Sequence, residues 1–463
     1  MRNNAQVFLK SYDNVVESFG GRWVTKPTAI LIVHGVGHQN PLETLDVFSR
    51  GLLETFGKAG YNLRAEHHLA KKLASDSQVP WFDNFLRLED VNGGKAPLDI
   101  YEYYWANQTE DQATLRDTNK WLNNVTRGAR KFYHEKKEFA ERHQDSSLFI
   151  KNGKFNPFTY WLCISFVPQV FLLFDLLRKG FSKLLTAIPI VGSLLSMLFQ
   201  GGTEDRVDKM ANLLNDVTIY NTTDAKSRFF KIRNCILDGA VQALKYLLEA
   251  KKTDDDKLKF TYGQVLVAGH SLGSQVAFDA INRLNHLVNQ CEISGYQGNG
   301  ACSFDPAETP VSERLIGLVT FGSPLDKIAF FFKEQVTREE YVRRQLIRNF
   351  HGFKQRNWLE DKPNELEIKP CERRLFEEVN WRNYWDRKDY ISGSLDYYQG
   401  VTNVNCAFPA NLLSFTHSDY WNCKNMYGEI IEYFLLPKPN DIVGQPDDED
   451  TNRNFSESDF ALV

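Results

Sequence analysis

A five-residue segment at 269–273, Gly-His-Ser-Leu-Gly, matches the pattern G-x-S-x-G and centres on Ser271. An apolar run, Gln264–Ala268, precedes it, and a segment with apolar residues three and four apart follows it. These flanks predict a sharp turn between a buried strand and a helix, and Gly269 and Gly273 leave room for that turn. A serine held there presents its hydroxyl beside free N–H groups of the helix, which suits nucleophilic attack on a carbonyl group. The plainer alternative is a Gly-Ser turn that only ends a strand.

A second glycine-rich turn, His34-Gly35-Val36-Gly37, directly follows the apolar run Ala29–Val33. In acyl-transfer hydrolases built on this kind of sheet, one backbone N–H that stabilises the oxyanion belongs to the residue after the serine, here Leu272. The other comes from a loop after an upstream strand. The turn suits that loop because its glycines bring the backbone close to a substrate. The alternative is an ordinary glycine-rich connection between a strand and a helix.

A serine hydroxyl needs a general base, and three histidines follow Ser271 in the chain: His286, His351 and His417. His286 falls on the helix behind the predicted nucleophile, on the wrong side for a base, and we expect it on the helix surface. His351 lies in a charged stretch between strands and is expected to be exposed. His417 lies in an aromatic and polar segment where the last loop of such a sheet delivers a histidine. We therefore predict His417 as the base, with a structural loop histidine as the alternative.

The acid that orients the base has three candidates: Asp389, Asp386 and Asp326. In this architecture the order along the chain is serine, acid, histidine. Asp389 is favoured because it lies one turn beyond the end of a predicted strand, within reach of an imidazole. Asp386 stands beside Arg387 and is interpreted more simply as a surface ion-pair residue, whereas Asp326 follows the turn after an earlier strand. Asp326 and Asp386 stay open as alternatives.

Apolar runs separated by helical patterns predict the strands that position these residues. The predicted strands are Ala29–Val33, Leu98–Trp105, Gln264–Ala268, Leu315–Phe321 and, more weakly, Arg382–Trp385. The central runs are continuous rather than alternating, as expected for strands that are buried on both faces. Strands that alternate with helices predict an α/β fold with a mostly parallel sheet and helices on both faces.

The 463 residues divide into a discontinuous core domain at 1–109 and 203–438, an insertion at 110–202 and a tail at 439–463. The insertion is first charged and helix-like and then very apolar at Phe158–Phe199, which breaks the alternation of strands and helices. The tail is acidic and poor in apolar residues, as disordered segments are. Three interpretations of the apolar stretch stay open: a cap that lies on a membrane surface, a buried cap, and a hairpin that spans the bilayer.

Apolar residues make up 42% of the chain and charged residues 25%, the balance of a globular protein rather than a disordered or fibrous one. The net charge of −4 shows no basic surplus, so nucleic acid is not an expected partner. Seven widely spaced cysteines contain no CxxC pair, and His67 and His68 are interpreted as solvated loop residues, so no metal or cofactor is expected. The N-terminus lacks the apolar core of a secretory signal, which predicts a cytoplasmic protein, membrane-associated if the apolar stretch binds lipid. The oligomeric state stays open.

Together these motifs resemble the α/β-hydrolase superfamily and, within it, the lipase and esterase branch. The resemblance rests on GHSLG after a buried strand, the HGVG turn, Thr320–Pro324 after a later strand, and Trp385–Ser392 followed by His417. It implies a catalytic triad of Ser271, Asp389 and His417, oxyanion donors at Val36 and Leu272, and supporting roles for His34, Gly35, Gly269 and Gly273.

The resemblance implies a serine hydrolase that cleaves an ester of a lipid or another apolar acyl group through an acyl-enzyme. The same triad fits a thioesterase, an acyltransferase or a peptidase, and the scaffold fits a non-catalytic, membrane-associated module; these alternatives stay open. Two features depart from the family. Ser274 stands where lipases often carry another glycine, and 237 residues separate His34 from Ser271, mostly because of the insertion.

Overall fold

A computed structural model describes residues 5–36, 40–70, 84–91, 95–109, 112–113, 117, 150–151, 154–158, 215–222, 226–254, 257–290, 293, 309–326, 340–350, 353–354, 366–370, 372–389, 391–396, 398–409 and 416–438. The predicted tail at 439–463 lies outside these described residues. So does most of the predicted insertion at 110–202, including 159–199 of its apolar stretch. Among the helices of the described ranges, none offers the length of apolar sequence that a bilayer crossing requires.

The described residues contain thirteen strands. They are β1 (Ala5–Phe8), β2 (Thr28–Val33), β3 (Leu63–Leu69), β4 (Asn84–Asp90), β5 (Leu98–Tyr103), β6 (Ile150–Lys151), β7 (Lys154–Phe155), β8 (Lys251–Asp254), β9 (Lys257–Phe260), β10 (Gln264–His270), β11 (Leu315–Phe321), β12 (Asn380–Trp385) and β13 (Val401–Asn405). The α-helices are α1 (Tyr12–Glu17), α2 (Glu43–Lys58), α3 (Arg228–Glu249), α4 (Leu272–Asn289), α5 (Val311–Arg314), α6 (Tyr341–Phe350) and α7 (Lys424–Ile430). Short 3₁₀ helices at Ala106–Gln108 and Thr416–Asn422 and a π-helical turn at Ile431–Leu435 are also present, and residues 215–220 are helical.

Nine of these strands form one sheet in the order β1-β13-β12-β11-β10-β2-β5-β4-β3. Neighbours from β1 across to β5 pair in parallel, and β4 and β3 add an antiparallel edge. The pairs β6–β7 and β8–β9 form separate two-stranded hairpins. A mostly parallel sheet connected through helices makes this an α/β fold, as predicted.

Helices cover the two faces of the sheet, and the central strands are buried between them. On β2, Ala29, Leu31 and Val33 enter a core shared with α3 and α4. Ile30 and Ile32 enter a second core shared with α1, α2 and α7. Both faces of the strand therefore exclude water, which explains why its sequence is continuously apolar rather than alternating.

The five predicted strands are all present, with small shifts in their bounds: the strand that begins at Leu98 ends at Tyr103 rather than at Trp105. The edge strands β1 and β3, their neighbours β13 and β4, and the hairpin strands β6 to β9 were not predicted. His67 and His68 lie within β3 and not in a solvated loop, so that prediction is wrong. The edge position of β3 explains the miss, because one exposed edge and a polar face tolerate a charged sequence without an apolar run.

Parallel pairing brings the carboxyl ends of four strands to the same edge of the sheet. The residues that follow these ends are His34 after β2, Ser271 after β10, Gly322 after β11 and Asp386 after β12. This edge is where open α/β sheets form their sites, because the loops that leave adjacent strands converge there.

Candidate active site

Ser271 forms the turn between β10 and α4 in a backbone conformation that is rare for a residue with a side chain. Its φ is 51° and its ψ is −129°. Such a conformation costs about 1–3 kcal/mol and persists only where surrounding contacts enforce it. One such contact is the backbone N–H of Ser271, which donates to the carbonyl oxygen of Phe321 on β11 at 3.0 Å. The serine is therefore held at the edge of the sheet by its neighbouring strand.

Three glycines allow backbone segments to meet around Ser271. A Cβ atom on Gly273 would overlap the carbonyl oxygen of His34. A Cβ on Gly269 would lie 2.7 Å from the carbonyl oxygen of Gly273, and one on Gly35 would lie 2.8 Å from the Cβ of Ser271. Gly35 and Gly273 therefore determine how closely the turn after β2 approaches the serine, and Gly269 determines how closely β10 approaches the first turn of α4.

The predicted oxyanion donors lie on the two segments that these glycines bring together. Leu272 is the first residue of α4, so its N–H has no acceptor within the helix. Val36 is half-buried in the turn after β2, and 37–39 lie outside the described residues. Ser274, the departure from the lipase pattern, donates its hydroxyl to the carbonyl of Gly269 at 2.7 Å and so supports the turn.

Ser271, His417 and Asp389 form a connected series of hydrogen bonds. Oγ of Ser271 lies 2.9 Å from Nε2 of His417, and Nδ1 of His417 lies 2.8 Å from Oδ2 of Asp389. Because a carboxylate only accepts, Nδ1 carries the ring proton, and the serine hydroxyl donates to Nε2. In this tautomer the imidazole can take the serine proton. The structure thus brings together the three residues that the sequence assigns to the triad.

Asp389 is a buried carboxylate with donors on both of its oxygens. The backbone N–H of Ile391 donates to Oδ1 at 2.9 Å, and the phenol of Tyr420 donates to Oδ2 at 3.1 Å. Burial raises the pKa of this carboxyl, but the hydrogen bond and charge of His417, with the N–H of Ile391, outweigh burial and lower the pKa to about 2. Asp389 therefore stays ionised beside the imidazole of His417.

Asp386 is not the surface ion-pair residue that its neighbour Arg387 suggested. It is 1% exposed, and its carboxylate accepts the backbone N–H groups of Lys388 at 2.8 Å and Phe408 at 2.7 Å. These bonds join the loop after β12 to the segment after β13. Asp386 thereby supports the loop that carries Asp389, rather than forming an ion pair on the surface.

The remaining candidate residues have other contacts. The carboxylate of Asp326 packs against Gly393, where an added Cβ would overlap it. His286 is paired with the carboxylate of Glu372, and its side chain is only 12% exposed, so it does not lie free on the helix surface as predicted. His351 lies outside the described residues.

His34 is a buried crosslink between the ends of β2 and β5. Its Nδ1–H donates to the carbonyl of Gly35 at 2.6 Å, and Nε2 accepts the backbone N–H of Trp105 at 2.8 Å and of Ala106 at 3.2 Å. Burial lowers the pKa of His34 to about 4, although the bond to Gly35 opposes this, so the ring is neutral near pH 7. His34 therefore holds the glycine-rich turn in place without adding charge to the site.

His270 is a second buried histidine at the site, and the sequence analysis did not assign it a role. Its Nε2–H donates to the backbone carbonyl of His417 at 3.2 Å, and its Nδ1 has no hydrogen-bond partner among the described residues. Burial, with repulsion from His417, lowers the pKa of His270 to about 3. This residue holds the main chain of the predicted base. It occupies a variable position of G-x-S-x-G, so the motif contains no signal for it.

No family model, no curated protein and no solved structure matches this chain. Within the described parts of the chain, no group of three or more His, Cys, Asp or Glu side chains is arranged to hold a metal ion. The side chains that meet at the site are those of Ser271, His417 and Asp389, and the backbone of the turns after β2 and β10 surrounds them.

Proposed function

We propose that this chain is a serine hydrolase of the α/β-hydrolase type that cleaves a carboxylic ester of an apolar or lipid acyl group. The observation that carries the proposal is the hydrogen-bonded series from Ser271 through His417 to Asp389, built on a strained turn between a strand and a helix. A serine that merely ends a strand needs neither an imidazole at its hydroxyl nor a buried carboxylate behind that imidazole.

In the first half of the reaction, Oγ of Ser271 attacks the ester carbonyl carbon while its proton moves to Nε2 of His417. The carbonyl oxygen gains the negative charge, which the backbone N–H groups of Leu272 and Val36 would stabilise. His417 then gives its proton to the departing alcohol, and the carbonyl re-forms as the acyl-enzyme. Asp389 stays ionised and offsets the charge of the imidazolium, in keeping with its lowered pKa.

In the second half, water replaces the alcohol. The water oxygen attacks the acyl carbon while His417 takes a proton from that water. His417 then gives this proton to Oγ of Ser271. The carboxylic acid leaves, and the enzyme is restored. The apolar character of the acyl group is inferred from the sequence of Phe158–Phe199, in which long runs contain almost no charge.

A fluorophosphonate probe tests the nucleophile, because such probes phosphonylate only activated serines. We expect stoichiometric labelling at Ser271 in the full chain, and its loss in Ser271→Ala together with a fall in ester turnover of at least about 10³-fold. Ser49→Ala serves as the matched control, because Ser49 is a buried serine on α2 without a hydrogen-bond partner among the described residues. Unreactive folded wild type, or full turnover by folded Ser271→Ala, would refute the proposal.

A series of esters that share one alcohol, from acetyl to palmitoyl, tests the substrate class. An apolar acyl site gains about 0.8 kcal/mol per buried methylene, so kcat/KM should rise about fourfold per methylene until the site is full. Thioesters and peptides with the same acyl groups are the comparison substrates. A flat or falling series would refute the preference for an apolar acyl group. Faster cleavage of thioesters or peptides would identify one of those classes as the substrate instead.

A further inference from the structure

Tyr420 contacts the same carboxylate oxygen that receives the proton of His417. Its phenol oxygen lies 3.1 Å from Oδ2 of Asp389, and Nδ1 of His417 lies 2.8 Å from that oxygen. Tyr420 is fully buried. A buried phenol placed on the orienting acid is more than a packing group, because its loss would change the acceptor strength of that acid.

The short helix at Thr416–Asn422 explains why His417 and Tyr420 reach the same atom. It is a 3₁₀ helix, in which residues three apart lie one above the other on the same side. The tyrosine ring is fixed by an edge contact with Phe408, with 5.0 Å between the ring centroids. One helical turn therefore presents both the base and a second donor to Asp389.

The hydrogen bonds around the phenol have a defined direction. Because Asp389 only accepts, Tyr420 donates its single proton to that carboxylate. The hydroxyl of Ser392 lies 2.9 Å from the phenol oxygen and also bonds Asp389, which lowers the pKa of that acid. The oxygen of Ser392 in turn accepts the backbone N–H of Asp386 at 3.4 Å. The main chain at Asp386 thus holds Ser392, and the hydroxyls of Ser392 and Tyr420 both bond the carboxylate of Asp389.

We propose that Tyr420, supported by Ser392, is a positioning residue that fixes the Asp389 carboxylate and limits its basicity, and so sets the pH at which His417 becomes available as a base. This inference rests on the proposed function. Each donor to Asp389 spreads its negative charge, and a less basic carboxylate stabilises the imidazolium less. His270, at the end of β10, also faces His417, with 5.0 Å between the ring centroids, and none of the variants below alters it. Removing the phenol therefore makes the carboxylate a stronger acceptor, raises the pH at which His417 loses its proton, and leaves the acid freer to rotate.

The test is Tyr420→Phe in the full chain, which keeps the ring against Phe408 and removes only the hydroxyl. We expect kcat for the best ester to fall about tenfold with KM unchanged, as for loss of one bond to a charged group. We also expect the acid limb of kcat/KM to move up by about half a pH unit. Tyr427→Phe is the matched control, because this buried phenol of α7 bonds the carbonyl of Trp421 at 3.3 Å instead; it should leave both quantities unchanged.

Ser392→Ala, alone and combined with Tyr420→Phe, tests whether the Ser392 hydroxyl compensates for the missing phenol. The single variant removes the other hydroxyl that bonds Asp389, so we expect a shift of the same sign and an effect on kcat of about two- to threefold. The double variant should exceed either single variant, because Asp389 then loses both hydroxyl donors. A Tyr420→Phe enzyme with the wild-type acid limb and kcat would overturn the inference.

Titration of the His417 ring by NMR keeps this inference separable from the proposed function. The resonance is assigned by its loss in His417→Gln, and its midpoint is compared between wild type and Tyr420→Phe. An upward shift without any Ser271-dependent turnover would uphold the positioning role and reject the hydrolase. Turnover that depends on Ser271, together with an unshifted midpoint, would uphold the hydrolase and reject the positioning role.

Discussion

Asp389, beyond the end of β12, and Glu102, near the end of β5, are both buried carboxylates, yet their surroundings move their pKa values in opposite directions. Asp389 is 4% exposed and Glu102 is 3% exposed. The pKa of Asp389 is lowered to about 2, whereas burial raises the pKa of Glu102 to about 7. Burial of the side chain is almost equal in the two regions, so it cannot by itself explain the difference.

The difference lies in what donates to each carboxylate. Asp389 has donors on both oxygens, and one of them is an imidazole that can carry charge. Glu102 accepts the backbone N–H of Leu42 on Oε2 at 2.7 Å and is bonded by Thr44 and Leu45, but its Oε1 has no partner among the described residues. These two carboxylates show that the direction of a pKa shift depends on the donors that remain after water is removed.

The largest expected effect is that of Asp389→Asn. The amide can donate to Nδ1 of His417, which favours the tautomer with the proton on Nε2, and that tautomer cannot accept the proton of Ser271. We expect kcat/KM for an ester to fall by about 10³- to 10⁴-fold. Glu102→Gln is the comparison and should lose less than about tenfold, because Glu102 bonds the start of α2 and not the base. Equal losses in both variants would contradict the division of roles.

The next effect is on stability, through Glu102. The ordinary pKa of a glutamate side chain is 4.5, and the pKa of Glu102 in the folded protein is about 7. Because the pKa is raised on folding, the protonated Glu102 side chain contributes to the free energy of unfolding. That contribution is fully present below pH 4.5 and is lost as the pH rises through 7. Between about pH 5 and pH 8 the loss amounts to about 2 kcal/mol.

Glu102→Gln removes that part of the pH dependence, because an amide does not ionise. Urea unfolding of wild type and variant at about pH 5 and about pH 8 measures this dependence. Between these two pH values, we expect the free energy of unfolding of the variant to increase by about 2 kcal/mol relative to that of the wild type. The effect of Asp389 on stability has the opposite sign, since its lowered pKa contributes stability above pH 3.8 that is lost as the pH falls through 2. Parallel pH profiles for wild type and Glu102→Gln would show that the carboxylate is not shifted.

The smallest effect is expected from Thr44→Val, which removes one donor to Glu102 and keeps the shape of the side chain. The hydroxyl of Thr44 lowers the pKa of Glu102, so its loss should raise that pKa further, by about half a unit. The measurement is the midpoint of the stability change with pH, compared with wild type. Thr55→Val is the control, because the Thr55 hydroxyl donates within α2, to the carbonyl of Gly51 at 2.8 Å. A midpoint that moves in the control and not in Thr44→Val would show that the hydroxyl does not act on Glu102.

The sequence predicts the centre of the sheet and the three residues of the hydrogen-bonded series, for a physical reason. Strands buried on both faces must be continuously apolar, and a serine turn between a strand and a helix requires glycines where backbones meet. Both requirements leave a local pattern, as in Ala29–Val33 and 269–273. The same kind of pattern cannot report the direction in which a side chain turns.

Asp386 and His270 illustrate that limit. Arg387 and Lys388 follow Asp386, so the sequence suggests a surface ion pair, but the side chain turns inward and accepts backbone N–H groups from residues 388 and 408. His270 bonds the carbonyl of a residue far along the chain, and no local spacing encodes such a contact. Tyr420 is an intermediate case, because its spacing of three from His417 becomes informative only once the segment is known to be a 3₁₀ helix.

The positive φ of Ser271 also has a consequence for laboratory evolution. Glycine adopts this conformation without strain, so Ser271→Gly should fold more stably than the wild type, although it lacks the proposed nucleophile. Selection for heat resistance alone would then enrich variants without the serine hydroxyl. A screen for thermally more stable variants must therefore measure ester turnover in every round.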